Sequence, residues 1–220
     1  MTSKAFEDYL KIIYKLEEAL PEDADRGVST TAIADRLAIS KASVSNMLKK
    51  LADKALIRYE PYYGVTLMDE GNKIALNMIR KHRILEQYLV ERLGYSWDEV
   101  DAEAEVMEHA ISDRLTNRMW EALGKPTRDP HGSPIPNEMG EMTGDPGESL
   151  SEVEVGQYRR VVRIQNRTPE ELRYLSSIGL TRNAEVKIEA KAPFNGPLSI
   201  FVGGDTQALD FRLAESIFVS

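Results

Sequence analysis

The chain holds three histidines and no cysteine, and each histidine stands beside carboxylates. His109 closes the run Glu105-Val-Met-Glu108-His109, and on a helix positions 105, 108 and 109 share one face. His82 is followed one helical turn later by Glu86, and His131 sits in Asp129-Pro-His-Gly-Ser. Asp8 lies on an N-terminal amphipathic stretch whose face can also turn toward the histidines. Like charges crowded on one face repel, and a bound cation is a common way to offset that cost. The bland reading is a solvated acidic surface with packed histidines, and spacing alone leaves both readings open. The donors are carboxylate oxygen and imidazole nitrogen, which suits Mn(II) or Fe(II), while Zn(II) or Co(II) also bind such sets tightly. Intrinsic affinity runs against manganese, so selectivity for it must come from geometry and availability. Without cysteine there is no disulfide, thiolate zinc site or cysteine nucleophile.

These residues need elements to hold them. Apolar positions recur at helical spacing over 4–20, and turn residues break the pattern at 21–27. A short helix is expected over 29–37 and a second over 41–53, joined by Ala38-Ile39-Ser40. Two β-like runs, 56–60 and 65–68, flank Pro61-Tyr62-Tyr63-Gly64. Helix, tight turn, helix and two-stranded wing make a winged helix-turn-helix. Residues 69–93 read as one long helix. Ser96 with Glu99 reads as a capping box opening a helix over 96–112, and another runs from Asp113 to Leu123. Residues 125–152 are rich in Pro, Gly, Ser and Asp, as loop and linker are. The last 68 residues favour strands at 158–165, 185–190 and 198–202, with one helix opening at Thr168-Pro169 and stopping near Gly179. The fold expected is mainly α with a β-rich C-terminal module. Its parts are a winged helix-turn-helix (1–72), a helical dimerisation and metal-binding domain (73–140), a linker (141–152) and an SH3-like barrel (153–220).

Net charge is −8, but it is unevenly spread. Residues 1–25 carry −4, 26–83 carry +6, 84–152 carry −11 and 153–220 carry +1. A basic block favours phosphate, and an acidic block admits cations. The second helix of the helix-turn-helix offers Ser40, Lys41, Ala42, Ser43 and Asn46 to a major groove. Asn46 suits adenine and Ala42 a thymine methyl, while Ser40, Lys41, Ser43, Lys49 and Lys50 suit phosphates. Tyr62 and Tyr63 stand at the wing tip. The alternative for such a trihelical unit is a protein contact.

Several stretches then match a known family in order. They are EDYLKIIYKLEE at 7–18, SKASVSNMLKKL at 40–51, YEPYYGVTLMDEG at 59–71, RKHRILEQYL at 80–89, EAEVMEHAISD at 103–113 and DPHGSPIPN at 129–137. The chain resembles the iron-dependent repressors typified by the diphtheria toxin repressor, and within them the manganese-sensing, three-domain branch. The resemblance spans about the whole chain. It implies a homodimeric, metal-activated repressor of metal-uptake genes that binds a pseudo-palindromic double-stranded operator. It also implies a main metal site from Asp8, Glu105, Glu108 and His109, with His82 close by. Iron sensors have methionine and cysteine where Asp8 and Glu105 stand, and hard oxygens in their place favour a harder ion. A second implied site draws on Glu86, Asp129, His131 and Glu170 or Glu171.

Two residues depart from the family pattern. Lys11 replaces a glutamate that completes a two-metal cluster in short manganese sensors, and Asp101 replaces a histidine of many three-domain relatives. Glu171 also fits a capping box with Thr168. Ile84, Leu85, Leu89, Leu93, Val100, Val106 and Ile111 are the residues expected in the dimer core. No membrane span and no secretory leader are read in the sequence, so a cytoplasmic protein with no small organic substrate is expected. Two alternatives stand beside this reading: a winged-helix regulator with an organic effector, and a metallohydrolase built on E-x-x-E-H. The second lacks the histidine that zinc-protease motifs need at position 105.

Overall fold

The computed structural model describes residues 3–21, 26–60, 63–144, 147–165 and 168–220. The chain divides into two compact units, one of residues up to 81 with 136–141, the other of 82–135 with 142–220.

In the first unit, helix α1 (Lys4–Glu17) packs Tyr9, Leu10 and Ile13 into a core shared with α2 (Thr30–Leu37) and α3 (Lys41–Asp53). Ser29 caps α2 by accepting the Ala32 N–H, and Ser40 caps α3 by accepting that of Ser43. Between them Ala38 takes a left-handed conformation (φ 54°). That residue ends α2 and sets the tight turn of the motif. Strands β1 (Ile57–Glu60) and β2 (Gly64–Leu67) pair antiparallel with Ile57 opposite Leu67, forming the wing. A bridge from Val28 to Val65 fastens the wing to the approach of α2. The long helix α4 (Asp69–Leu93) begins against the wing's base, where a Cβ on Gly71 would lie 2.0 Å from the Leu56 carbonyl oxygen. Glycine is what lets the backbones approach there.

The second unit begins within α4 and continues through α5 (Val100–Met107) and α6 (Asp113–Ala122). The expected start of α5 at Ser96 is corrected to Val100. The Ser96 hydroxyl donates to the Glu99 carboxylate at 2.7 Å instead of accepting the Glu99 N–H, so the reciprocal cap is not made. The expected dimer core is also corrected. Ile84, Leu85, Leu89, Val100 and Ile111 are buried within the chain, Leu85 and Ile111 clustering with Ala104, Met107 and Met119. Leu93 (60% exposed) and Val106 (69%) remain at the surface, and so does Leu115.

The C-terminal module is a six-stranded antiparallel sheet in the order β3-β8-β4-β5-β6-β7. Its strands are β3 (Glu148–Ser149), β4 (Tyr158–Ile164), β5 (Glu185–Lys191), β6 (Leu198–Val202), β7 (Asp205–Leu209) and β8 (Ile217–Val219). Helix α7 (Pro169–Ser177) follows β4, and a second short helix, α8 (Phe211–Glu215), adds to the one expected. Alternating residues such as Leu198, Ile200 and Val202 supply the core. The expected linker carries β3 and the buried Leu150, so its end belongs to the sheet. Within this unit the sheet module and the helical segment are joined. Trp97 packs on the sheet's core and donates its indole N–H to Ser176 at 2.8 Å, Arg173 reaches Asp98 at 3.0 Å, and the Ile164 N–H donates to the His131 carbonyl.

Candidate metal centre and nucleic-acid interface

The first unit presents the groups a duplex would meet. Ser40, Lys41, Ala42, Ser43, Asn46, Lys49 and Lys50 are all exposed on α3, while Val44, Leu48 and Leu51 face inward. The Ser40 and Ser43 hydroxyls bond each other at 2.9 Å, so both help shape the helix start. Tyr63 is 61% exposed at the wing tip. Tyr62 lies outside the described residues.

In the second unit three sets of donors converge on the α4–α5 face and the loop after α6. His82, Glu105 and Glu108 form one, His82, Glu86 and Asp101 a second, and Glu86, Asp129 and His131 a third. His82 belongs to two sets because its nitrogens face opposite ways. Nδ1 lies 2.7 Å from Glu108 Oε2 and 3.9 Å from Glu105. Nε2 lies 3.4 Å from Glu86 Oε1 and 3.3 Å from Asp101. Glu86 is shared in turn, its Oε1 lying 3.6 Å from His131 Nδ1. The fixed ring of His131 explains that aim. Its Nε2 sits 2.8 Å from the Trp97 carbonyl, which can only accept, and the ring stacks on the Trp97 indole. Nε2 therefore carries a proton and Nδ1 is the nitrogen that faces Glu86, the outer-shell pattern of a ligating histidine.

The spacings discriminate between hydrogen bonds and ion-binding edges. Adjacent donors of an octahedral site with metal–ligand distances of roughly 2.2 Å stand about 3.1 Å apart. Contacts of 3.3–3.6 Å from His82 Nε2 to Glu86 and Asp101 and from Glu86 to His131 are loose for hydrogen bonds and near that edge length. The 2.7 Å contact to Glu108 is a hydrogen bond. Electrostatics agree. Burial opposes charge on His82, but the negative carboxylates of Glu86, Asp101 and Glu108 around it outweigh that effect, and the imidazole is pushed up to about 10. Burial alone would raise Glu86, yet the His82 charge brings it below the usual carboxylate range. Asp129 is pushed upward by burial and the Glu86 charge. The centre thus holds several buried carboxylates against a ring kept protonated. Such an array fits a divalent cation.

The sites expected from the sequence fall as follows. His82, Glu86, Glu105, Glu108, Asp129 and His131 stand in the converging sets. His109 follows the end of α5, with Nε2 3.5 Å from Glu108 Oε1. Asp8 is half-buried on α1 in the first unit. Lys11 of that helix is buried. Glu170 and Glu171 are not among the converging groups. Glu171 closes the capping box of α7, accepting the Thr168 N–H at 2.9 Å, and Glu170 pairs with Arg173. Asp101 is the donor missing from the expected set. Its signal was available, since it precedes Glu105 by one turn on the same helix. Asp129 is more committed than its motif suggested, for Oδ1 accepts the Ser133 N–H at 2.8 Å and Oδ2 faces Arg83 at 3.7 Å.

Three family models match the chain. Residues 1–65 match the iron dependent repressor N-terminal DNA binding domain, 68–137 the iron dependent repressor metal binding and dimerisation domain, and 148–220 the FeoA domain. The chain belongs to the iron-dependent repressor family. The iron-dependent repressor IdeR of Mycobacterium tuberculosis (strain ATCC 25618 / H37Rv) is 30% identical over 97% of this chain and 95% of its own. A solved manganese-dependent transcriptional repressor in complex with manganese is 40% identical, with a TM-score of 0.88 over 97% of this chain and 98% of that one. ScaR with bound Zn2+ is 30% identical, with a TM-score of 0.81 over 100% and 99%. As a member of that family the chain is a metal-dependent, DNA-binding transcriptional repressor that dimerises, and not an enzyme. The organic-effector and metallohydrolase readings are set aside on that ground. No helix among the described residues is long and apolar enough to cross a membrane.

The loop holding His131 turns on Gly132 (φ 93°), where a Cβ would lie 2.0 Å from the Val162 carbonyl oxygen. Gly132→Ala is expected to displace the loop at a cost of about 2 kcal/mol, which lowers Tm by roughly 4–8 °C. Thermal unfolding read by circular dichroism checks this, and an unchanged Tm would mean the loop is not held as tightly as drawn.

Proposed function

We propose that the chain is a manganese-activated repressor of metal-uptake genes that works in the cytoplasm. The observation carrying this reading is the donor set, in which every candidate ligand is a carboxylate oxygen or an imidazole nitrogen. Hard donors suit Mn(II) over softer ions, with Fe(II), Co(II) and Zn(II) as competitors. The 40% identical manganese-bound repressor supports the same choice.

The ligands are assigned to two positions. Asp8 on α1, Glu105 and Glu108 on and just after α5, and His109 make the first, with Nδ1 of His82 beside them. The second gathers around Glu86, with His82 Nε2, Asp101, His131 and Asp129; Glu170 or Glu171 would join it only by giving up the contacts they make on α7. When bound, the divalent charge lets carboxylates from separate helices share one point. The chain's residues supply the rest. Asp8 ties the DNA-binding domain (1–72) to the dimerisation domain (73–140), limiting the positions the paired α3 helices adopt. Two copies joined through the exposed apolar residues Leu93, Val106 and Leu115 would present those helices about 34–36 Å apart, one DNA turn, to a pseudo-palindrome. Lys41, Lys49, Lys50, Ser40 and Ser43 hold phosphates, while Ala42 and Asn46 read base edges and Tyr62 and Tyr63 reach the backbone from the wing.

The test is operator binding by gel shift across a titration of Mn(II), Fe(II) and Zn(II) at fixed salt, since salt alone moves DNA affinity strongly. Operator binding tightens at least about a hundredfold with Mn(II), a shift of roughly 3 kcal/mol in the population that DNA accepts. Equal affinity with Mn(II) and with EDTA would defeat the proposal.

A further inference from the structure

We propose that Trp97 is a positioning residue for the metal position around Glu86, and that through it the sheet module aims His131 at the ion without supplying a ligand of its own. This inference rests on the metal reading above. Among the described residues no side chain of 153–220 stands in the converging donor sets, and Glu170 and Glu171 are held in contacts on α7. The module nevertheless grips the ligand-bearing loop. The Ile164 N–H, at the end of β4, donates to the His131 carbonyl at 2.8 Å, and the Arg182 guanidinium donates to the Asp129 carbonyl at 2.9 Å. Both residues are thus fixed by their backbones, which leaves the aim of the His131 ring to be set from elsewhere.

That aim comes from Trp97. Its carbonyl can only accept, so it takes the Nε2 proton of His131 at 2.8 Å, and its indole stacks on the imidazole with ring centres 5.6 Å apart and planes 30° apart. One residue thereby sets both which nitrogen carries a proton and the plane of the ring. A carbonyl does this only if it is itself held still, and residues 94–99, between α4 and α5, belong to no helix or strand. Helix α7 supplies the hold. Ser176 accepts the Trp97 indole N–H at 2.8 Å, Arg173 donates to the neighbouring Asp98 at 3.0 Å, and the indole packs on the module's core. Arg173 and Ser176 are three positions apart and share one face of α7. The contacts run from α7 through Trp97 to His131 Nε2 and end with Nδ1 3.6 Å from Glu86. Outer-shell acceptors of this kind change metal affinity about 10–100-fold. Here the acceptor is a main-chain oxygen, so a substitution acts through the side chain that anchors it.

The experiment uses the full chain and Mn(II) alone. Calorimetry gives the affinity, and pulsed electron paramagnetic resonance counts the imidazole nitrogens on bound Mn(II). Trp97→Ala is expected to bind the ion at the Glu86 position about 10–100-fold more weakly and with one imidazole nitrogen fewer per subunit. Trp97→Phe, which keeps a ring against His131, is expected to restore that nitrogen. A merely structural residue would lower Tm and leave the nitrogen count alone. Ser176→Ala is the second variant, since that side chain is exposed and its loss opens no cavity. It is expected to weaken the same ion about tenfold, and it decides alone if Trp97→Ala does not fold. Parental affinity and nitrogen count in the deciding variant overturn the proposal. Loss of an ion in Glu170→Gln or Glu171→Gln overturns it too, because the module would then be a ligand donor. Failure of the parent chain to bind Mn(II) at all would sink the metal reading itself, an outcome separate from these.

Discussion

Glu105→Ala is expected to raise the Mn(II) concentration for half-maximal operator binding by at least about a hundredfold while leaving the dimer and its stability intact. The side chain is 45% exposed, so its removal opens no cavity. A substitution of that kind changes stability within about 0.5 kcal/mol. Its carboxylate, however, is one of the few hard oxygens on the His82 Nδ1 side, and outer-shell partners alone are worth about 10–100-fold in metal affinity. A ligand is worth at least that. Asp8→Ala should match it, for the same loss from the DNA-binding side. Gel shift measures the response, and size-exclusion chromatography measures the dimer. Monomerisation of either variant would mean that fold residues have been mistaken for ligands.

Much of this was legible because it is written in local periodicity. The 69–93 helix has its observed bounds in the pattern of apolar residues. The helix-turn-helix is signalled by Ser29 and Ser40, whose hydroxyls cap the helices they precede. The strand run 198–202 alternates cleanly and forms β6 as expected. What was missed is what local pattern does not encode. Strands β3 and β8 have two and three residues, too few to alternate, and are strands because β8 pairs with β3 on one side and with β4 on the other, both distant in sequence. Apolar residues of α4 and α5 look alike whether they face their own chain or a second copy. Ile84 and Leu85 turned out to be intramolecular, and only burial separates them from Leu93 and Val106. The metal centre divides the same way. Residue types and spacings pointed to His82, Glu86, Glu105, Glu108 and His131, but which nitrogen faces which carboxylate is a tertiary fact. Asp101 differs from the histidine of many three-domain relatives, yet its place one turn before Glu105 marks it as a neighbour of the same centre.

Apparent Mn(II) affinity is expected to fall about tenfold for each pH unit between pH 8 and pH 6, with the release of about one proton per ion from His82. In the metal-free protein this ring is pushed up to about 10 by Glu86, Asp101 and Glu108, against the effect of burial. Its folded pKa thus lies above the unfolded value near 6.5. The stabilisation is fully present below about pH 6.5 and is lost as pH rises through about 10. At neutral pH the charged ring holds its carboxylate neighbours together in the absence of a metal. Coordination needs the Nε2 lone pair, so that proton must leave, and every unit by which pH lies below about 10 costs a factor of ten. Calorimetry in buffers of different ionisation enthalpy reads the released protons directly. An Mn(II) affinity flat between pH 6 and pH 8, with no buffer dependence, would show that His82 is not displaced from its proton and stands outside the coordination sphere. A steep dependence that vanishes in His82→Asn would place the exchanged proton on that ring. The same exchange accounts for how a chain can keep so many acids buried side by side before any metal arrives: the proton on His82 occupies, electrostatically, the place the ion takes.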